Sequence, residues 1–188
     1  FSSLPALLAS PAYAAQVNEV KSLGAVNSTT RTAEQTRIAF FWANDVAGTY
    51  KPPGQLLRHT SLLAFDHNLE SSAAARLYTL VTLAMADAAI VSWDAKFRTP
   101  IDLWRPETAI RLADTDGNAA TVADPGWQPL SVDRNGVRFS PPFPAYTSGH
   151  ASLAGSWAGV MKRYFGTDNV TFRVDSVDPN EQNYRTYT

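Results

Sequence analysis

The chain contains no cysteine. That absence removes disulfides, thiolate metal sites and cysteine nucleophiles, and it leaves the redox compartment open. Net charge is nearly absent as well: 16 Lys and Arg against 17 Asp and Glu give a formal charge of −1. No global basic field therefore favours nucleic acid or an anionic membrane. Only three histidines occur, and no His-Glu-x-x-His pattern joins any of them. Long apolar runs are short in supply too. The best candidate, residues 77–93, is interrupted by Asp87, so no stretch is expected to span a membrane. Hydrophobic residues make up 45% of the chain and charged residues 18%, a composition that reads as globular rather than disordered. With 188 residues, one domain with a sizeable core is expected, and it would bury roughly 70% of its unfolded surface.

The N-terminal run FSSLPALLASPAYAAQ faintly resembles the end of a secretory signal, but it lacks an initiating Met and a basic leader. The favoured expectation is an interior helix of a longer protein. Further on, Thr32-Ala33-Glu34-Gln35 matches a capping box. Behind it, Ile38, Ala39, Phe41, Trp42 and Val46 predict an apolar helical stripe ending near Gly48. The KPPG run at 51–54 is expected to break the chain, and a second helix to span about 56–68. Ser71 or Ser72 caps a third, and residues 73–93 are rich in Ala and Leu. Being apolar on most faces, this helix is expected at the centre of a bundle. Pro100 ends the run, and Pro106 with Glu107 suits the first turn of another helix. Residues 114–147 hold five prolines and an Arg134-Asn135-Gly136 turn and read as a long loop, functional or mobile. A last helix is predicted over 148–165, stopped by Gly166. The tail after Asp168 alternates Val and Phe without committing to an element. The fold class is all-α, a single helical bundle with a long functional loop before the last helix, and the chain is expected to be a fragment of a longer one.

Two patches carry chemistry. The first is Trp93-Asp94-Ala95-Lys96-Phe97-Arg98 followed by Leu103-Trp104-Arg105-Pro106. The second runs from Pro141 to His150 and contains Tyr146-Thr147-Ser148-Gly149-His150 at a loop-to-helix transition. A helix N-terminus presents unpaired N–H groups and a partial positive charge. Ser148 adds a hydroxyl, Gly149 admits close approach of a ligand, and His150 adds a group suited to proton transfer near neutrality. Lys gives an oxyanion a point charge and Arg a two-pronged contact. Positive groups are needed because charge on the oxygens of a bound oxyanion must be neutralised. Arg105 has a plainer reading as the ion-pair partner of Asp94 or Asp102, and His150 as a structural N-terminal histidine. Asp87 could orient a basic residue or be a buried structural partner. His59 and His67 read as surface or structural histidines, and Lys162 and Arg163 as solvated charges near a helix end.

The sequence WDAK…LWRPETAIR followed by FPAYTSGHA resembles the first two signature motifs of the vanadium-dependent haloperoxidases. That family shares a helical fold and an oxyanion site with the type 2 phosphatidic acid phosphatase superfamily, including bacterial acid phosphatases. The upstream RTAEQTRIAFFW is similar to bacterial haloperoxidase-like sequences. The resemblance implies that Lys96 and Arg105 bind equatorial oxygens of vanadate or phosphate, that Ser148 and the Gly149 N–H donate to the same anion, and that His150 is the acid–base residue. It also implies that Trp93 and Phe143 line the halide side of the pocket. The implied cofactor is vanadate, or phosphate as a substrate-derived ligand. The implied small-molecule partners are hydrogen peroxide with halide, or a phosphate ester. The resemblance makes a secreted or periplasmic location plausible; the residues themselves fix none.

The chain departs from the pattern twice. The first motif usually separates Lys from Arg-Pro by six residues. Here eight lie between Lys96 and Arg105, and Arg98 stands at the six-residue spacing. Trp93 favours Lys96 as the equivalent, and strict spacing favours Arg98, which would otherwise be an extra anion contact. The third motif, Ser-Arg followed by His, is absent. No histidine follows His150, and Arg185 lacks both the preceding Ser and the following His. No metal ligand is therefore expected in this chain, and a C-terminal segment or a homo-oligomer would complete the site. Three readings follow: a vanadate-dependent oxidation of halide by peroxide, a phosphomonoesterase on the same oxyanion site, and a non-catalytic helical domain with an incomplete site.

Overall fold

The computed structural model describes residues 3–181 and 184–187. It is mostly helical: α1 (Leu4–Leu8), α2 (Pro11–Leu23), α3 (Ala33–Ala43), α4 (Lys51–Asp66), α5 (Ser71–Arg98), α6 (Pro106–Arg111) and α7 (Gly149–Phe165), with two short strands, β1 (Phe172–Val174) and β2 (Arg185–Tyr187). The all-α class is thus observed. The chain forms two compact units, Phe1–Thr36 with Asp94–Thr147, and Arg37–Trp93 with Ser148–Thr188.

In the first unit, α1 and α2 begin as their sequences dictate. Ser3 and Ser10 cap them, accepting from the Ala6 and Tyr13 N–H groups. A proline stands in the first turn of each, where its missing N–H is no loss. α2 packs on α6 around a small core of Ala25, Ile110 and Trp127, with Val17 against it. The loop over 114–147 is pinned along much of its length. Trp127 Nε1 donates to the Lys21 carbonyl at 2.9 Å, the Val26 N–H to Gln128 at 2.9 Å and the Leu130 N–H to Gly24 at 2.9 Å. Asn118 Nδ2 reaches the Leu8 carbonyl at 2.7 Å. The capping box at the head of α3 is complete: the Gln35 N–H donates to Thr32 Oγ1 at 3.1 Å, and the Thr32 N–H to Gln35 Oε1 at 2.8 Å. Thr32→Ala is expected to cost about 1 kcal/mol, read as a lower urea midpoint at unchanged slope.

The second unit holds the larger core, in which Leu56, Leu63 and Ala64 of α4 meet Leu77, Val81 and Met85 of α5 and Leu153 and Met161 of α7. Three polar bonds tie its elements: Trp157 Nε1 to Thr60 Oγ1 at 2.9 Å, Tyr164 Oη to the Ala73 carbonyl at 3.1 Å, and Tyr78 Oη to the Leu57 carbonyl at 3.3 Å. β1 and β2 pair antiparallel, with Phe172 opposite Tyr187 and Val174 opposite Arg185.

Several sequence expectations are corrected. α3 stops at Ala43 rather than near Gly48, because Asn44 takes a left-handed conformation (φ 40°) and returns its amide to the Phe41 carbonyl. The KPPG run is the first turn of α4, not a break before it, since prolines at the first helical positions remove only N–H groups that lack partners. α5 is not central in the bundle. One stripe, Leu77, Val81 and Met85, is buried, while Leu83, Ile90, Val91 and Phe97 are exposed. Asp87 is exposed too, so it is not a buried partner, and no hydrogen bond or ion pair joins it to a basic group among the described residues. α5 also carries an 18-residue window of mean hydropathy 1.5, long and apolar enough to cross a membrane by length and composition. The expectation that no stretch reaches that length therefore does not hold, because a single aspartate is too little to interrupt the window.

Candidate functional site

In the first unit the two basic residues of the first motif converge on one aromatic ring. Lys96 comes from the last turns of α5, and Arg105 immediately precedes Pro106 at the head of α6. The Lys96 Nζ lies 4.8 Å from the centre of the Phe143 ring, and the Arg105 guanidinium carbon 5.2 Å from it. The ring faces of aromatic residues attract cations, so Phe143 holds two like charges near each other. The loop carrying Phe143 is fixed by an Ala145 N–H bond to the Leu103 carbonyl at 2.8 Å. Lys96 Nζ donates to the Pro144 carbonyl at 2.8 Å, and Arg105 Nε to Ser140 Oγ at 3.4 Å. Lys96 is 1% exposed. Burial pushes its ammonium below the usual lysine range, and the positive charge of Arg105 adds to that push. Arg98 is placed otherwise: its side chain is 81% exposed and pairs with Asp94 at 3.2 Å.

In the second unit Ser148 caps α7. Its Oγ accepts from the Ala151 N–H at 3.2 Å, which leaves the hydroxyl proton free to donate elsewhere. Gly149 is the first residue of α7, where backbone N–H groups have no partner inside the helix. A Cβ on Gly149 would come within 3.1 Å of the Trp93 indole, so a larger residue there would need the indole to give way by a few tenths of an ångström. His150 is exposed, and its Nε2 lies 3.0 Å from the Trp42 carbonyl near the end of α3. A carbonyl oxygen has no proton to give, so Nε2 carries the hydrogen and a neutral His150 keeps its lone pair on Nδ1. The preceding carbonyl, Phe41, accepts from Gln55 Nε2 at 2.9 Å and from Asn44 Nδ2 at 3.0 Å. The end of α3 thus spends its unpaired carbonyls on side chains.

Nothing in the sequence pointed to Trp42 as the partner of His150, because 108 residues separate them. Nor did it signal the surroundings of His59, read as surface or structural. His59 is 1% exposed, lies edge-on to Trp42, Trp157 and Phe172, and its Nε2 has no hydrogen-bond partner among the described residues. His67 is exposed and stacks on Phe165 at 4.3 Å. Lys162, read as a solvated charge, pairs with Asp168 at 2.5 Å, both largely exposed.

The sequence model of the VCPO second helical-bundle domain matches residues 76–186, more than half of the chain. The chain belongs to this family. Among relatives, a vanadium chloroperoxidase from Curvularia inaequalis is 31% identical over 167 residues, covering 82% of this chain and 26% of that protein. The crystal structure of a bacterial vanadium-dependent iodoperoxidase matches with a TM-score of 0.73 at 29% identity, covering 94% of this chain and 39% of the other. The chain therefore spans about a quarter of the length of the chloroperoxidase and well under half of the iodoperoxidase. Family membership places it among proteins related to vanadium haloperoxidases.

Proposed function

We propose that this chain supplies the first two motifs of a vanadate-dependent enzyme that oxidises halide with hydrogen peroxide. The observation that carries the reading is the buried Lys96 beside Arg105 on the Phe143 ring. Two neighbouring cations, one of them buried, make a place where a bound anion gains attraction from both. By donor chemistry, the ammonium and guanidinium of the first unit and the Ser148 hydroxyl and helix-start Gly149 N–H of the second are of the kinds that suit a tetrahedral oxyanion. Lys96 and Arg105 would hold oxygens of the anion, and Ser148 and the Gly149 N–H would donate to the same anion. Bound vanadate would supply a Lewis-acidic centre that activates peroxide without changing oxidation state.

His150 takes and returns protons at Nδ1, because its Nε2–H is committed to the Trp42 carbonyl. Trp93 and Phe143 are proposed as the apolar flanks on the halide side. Phe143 has a second task, since its ring also steadies the two cations.

Arg98 is left outside this set on account of its exposure and its pairing with Asp94. Calorimetric titration of orthovanadate into the full-length protein tests the assignment. Lys96→Ala is expected to weaken binding by about 10- to 100-fold, the worth of a charged hydrogen bond. Arg98→Ala is expected to change it by less than about twofold. The reverse order would make Arg98 the motif residue. Hydrolysis of a phosphate ester with no halide oxidation at any vanadate level would replace this reading with a phosphomonoesterase.

A further inference from the structure

His59 is a buried titratable side chain that the anion chemistry does not use. It stands in the middle of α4, and the rings around it all belong to the second unit. Two of them bear on His150. One is Trp42 of α3, whose ring centre lies 6.0 Å from that of His59 with the planes 78° apart. The other is Trp157 of α7, at 6.1 Å and 75°. Phe172 of β1 closes a third side at 6.0 Å. The two helices that flank His59 also carry the two ends of the His150 bond: Trp42 supplies the accepting carbonyl, and α7 carries His150. Trp157 follows His150 by seven residues, about two turns along the same side of the helix.

The length of that bond therefore depends on how far apart α3 and α7 are held, and the His59 ring lies between an indole of each. Trp157 is anchored, since its Nε1 donates to Thr60 Oγ1 at 2.9 Å, beside His59 on α4. Trp42 sits in the last turn of α3, where carbonyls have no partner inside the helix. α4 holds that end at two points one turn apart: Gln55 Nε2 donates to the Phe41 carbonyl at 2.9 Å, and His59 meets the Trp42 ring. Burial lowers the His59 imidazole to about 4, so the ring is neutral near pH 7. Its Nε2 makes no hydrogen bond among the described residues, so that side of the ring contributes by its shape.

We propose that His59 is a positioning residue for His150: its ring is the spacer that keeps α3 and α7 at the separation at which the Trp42 carbonyl accepts from His150 Nε2. In doing so it fixes Nδ1 as the atom that exchanges protons. The inference rests on the halide-oxidising reading for what that exchange serves, and on geometry alone for the placement of the ring. Without the spacer the Trp42 carbonyl and His150 part, the His150 imidazole is free to turn, and both of its tautomers become populated. A misplacement of about 1 Å that originates away from the reacting atoms can cost about 100-fold in rate.

Nitrogen NMR of the full-length protein, isotopically labelled at histidine, reads the His150 tautomer without any turnover. The parent is expected to show one tautomer, with the proton on Nε2, and His59→Ala a mixture. In peroxide-dependent halide oxidation the same variant should lose about 10- to 100-fold in kcat, while the KM for halide and the affinity for vanadate stay within about threefold. His59→Phe, which puts back a flat ring, should recover the single tautomer and most of kcat. His59→Val gives the same ordering as alanine at smaller amplitude and serves if the alanine variant does not fold. A folded His59→Ala protein that keeps the Nε2–H tautomer and the parent kcat overturns the proposal. So does a loss of activity with the tautomer unchanged, which would make His59 a general support of the fold. A mixture of tautomers in His59→Ala, when the parent oxidises no halide at any vanadate level, overturns the halide reading instead and leaves the placement of His150 standing.

Discussion

Replacing His150 with alanine in the full-length protein is expected to lower peroxide-dependent halide oxidation by about 100- to 10,000-fold, the range for loss of a positioned acid–base group. Vanadate affinity should fall far less, because the anion-binding donors assigned above are Lys96, Arg105, Ser148 and the Gly149 N–H. The separation follows from geometry: the Nε2 of His150 lies 3.0 Å from the Trp42 carbonyl, which orients the ring and assigns proton transfer to Nδ1. Single-turnover rates and calorimetric vanadate binding, measured on the same variant, check both halves. A variant that keeps more than about a tenth of the activity would show that His150 is a structural residue at the head of α7. Loss of vanadate binding alongside loss of activity would instead make it a holding group.

Acid is expected to destabilise the fold through His59, by about 3 kcal/mol between neutrality and pH 4. Burial among Trp42, Trp157 and Phe172 lowers the imidazole from 6.5 to about 4. The Asp175 carboxylate pulls it partly back up, and Arg58 pushes it further down. The folded value lies below the unfolded one, so the unfolded chain binds more protons throughout that interval. Stability due to neutral His59 is therefore complete above about pH 6.5, falls as pH drops towards about 4, and levels off below. Carboxylates also contribute to acid unfolding, so the comparison that isolates His59 is with His59→Gln. Urea unfolding at pH 7.5 and pH 4.5 should show a smaller loss in the variant than in the parent. Equal losses would mean that His59 is already protonated in the fold, or that its cage opens to water.

What the sequence revealed follows the reach of each signal. Thr32 with Gln35, Ser148 with Ala151 and Gly166 in its left-handed C-cap were legible because capping acts over three or four residues. The start of α4 was missed because proline reads as a breaker unless its position in the helix is already known. The exposure of α5 was missed for a different reason. An Ala- and Leu-rich composition says that a helix forms and is apolar, but burial depends on what packs against it. Three-residue strands such as β1 and β2 are too short for alternation to register.

The candidate site divides the same way. Arg105, Ser148, Gly149 and His150 were named from the motifs that carry the resemblance, and Lys96 from its place three residues after Trp93, against a strict spacing that favoured Arg98. The choice between Lys96 and Arg98 was open in the sequence, because two residues of spacing separate them on one helix. Burial and the shared Phe143 ring favour Lys96 on physical grounds. The Trp42 carbonyl and the His59 cage were out of reach, because a lone histidine carries no information about a partner distant in the chain.

The most direct test of the account is halide oxidation by hydrogen peroxide in full-length protein stripped of vanadate and then titrated with it. The account predicts no activity in the stripped protein and saturable activity as vanadate is restored, with added phosphate competing for the same site. Activity that survives without vanadate, or none at any vanadate concentration, would contradict it.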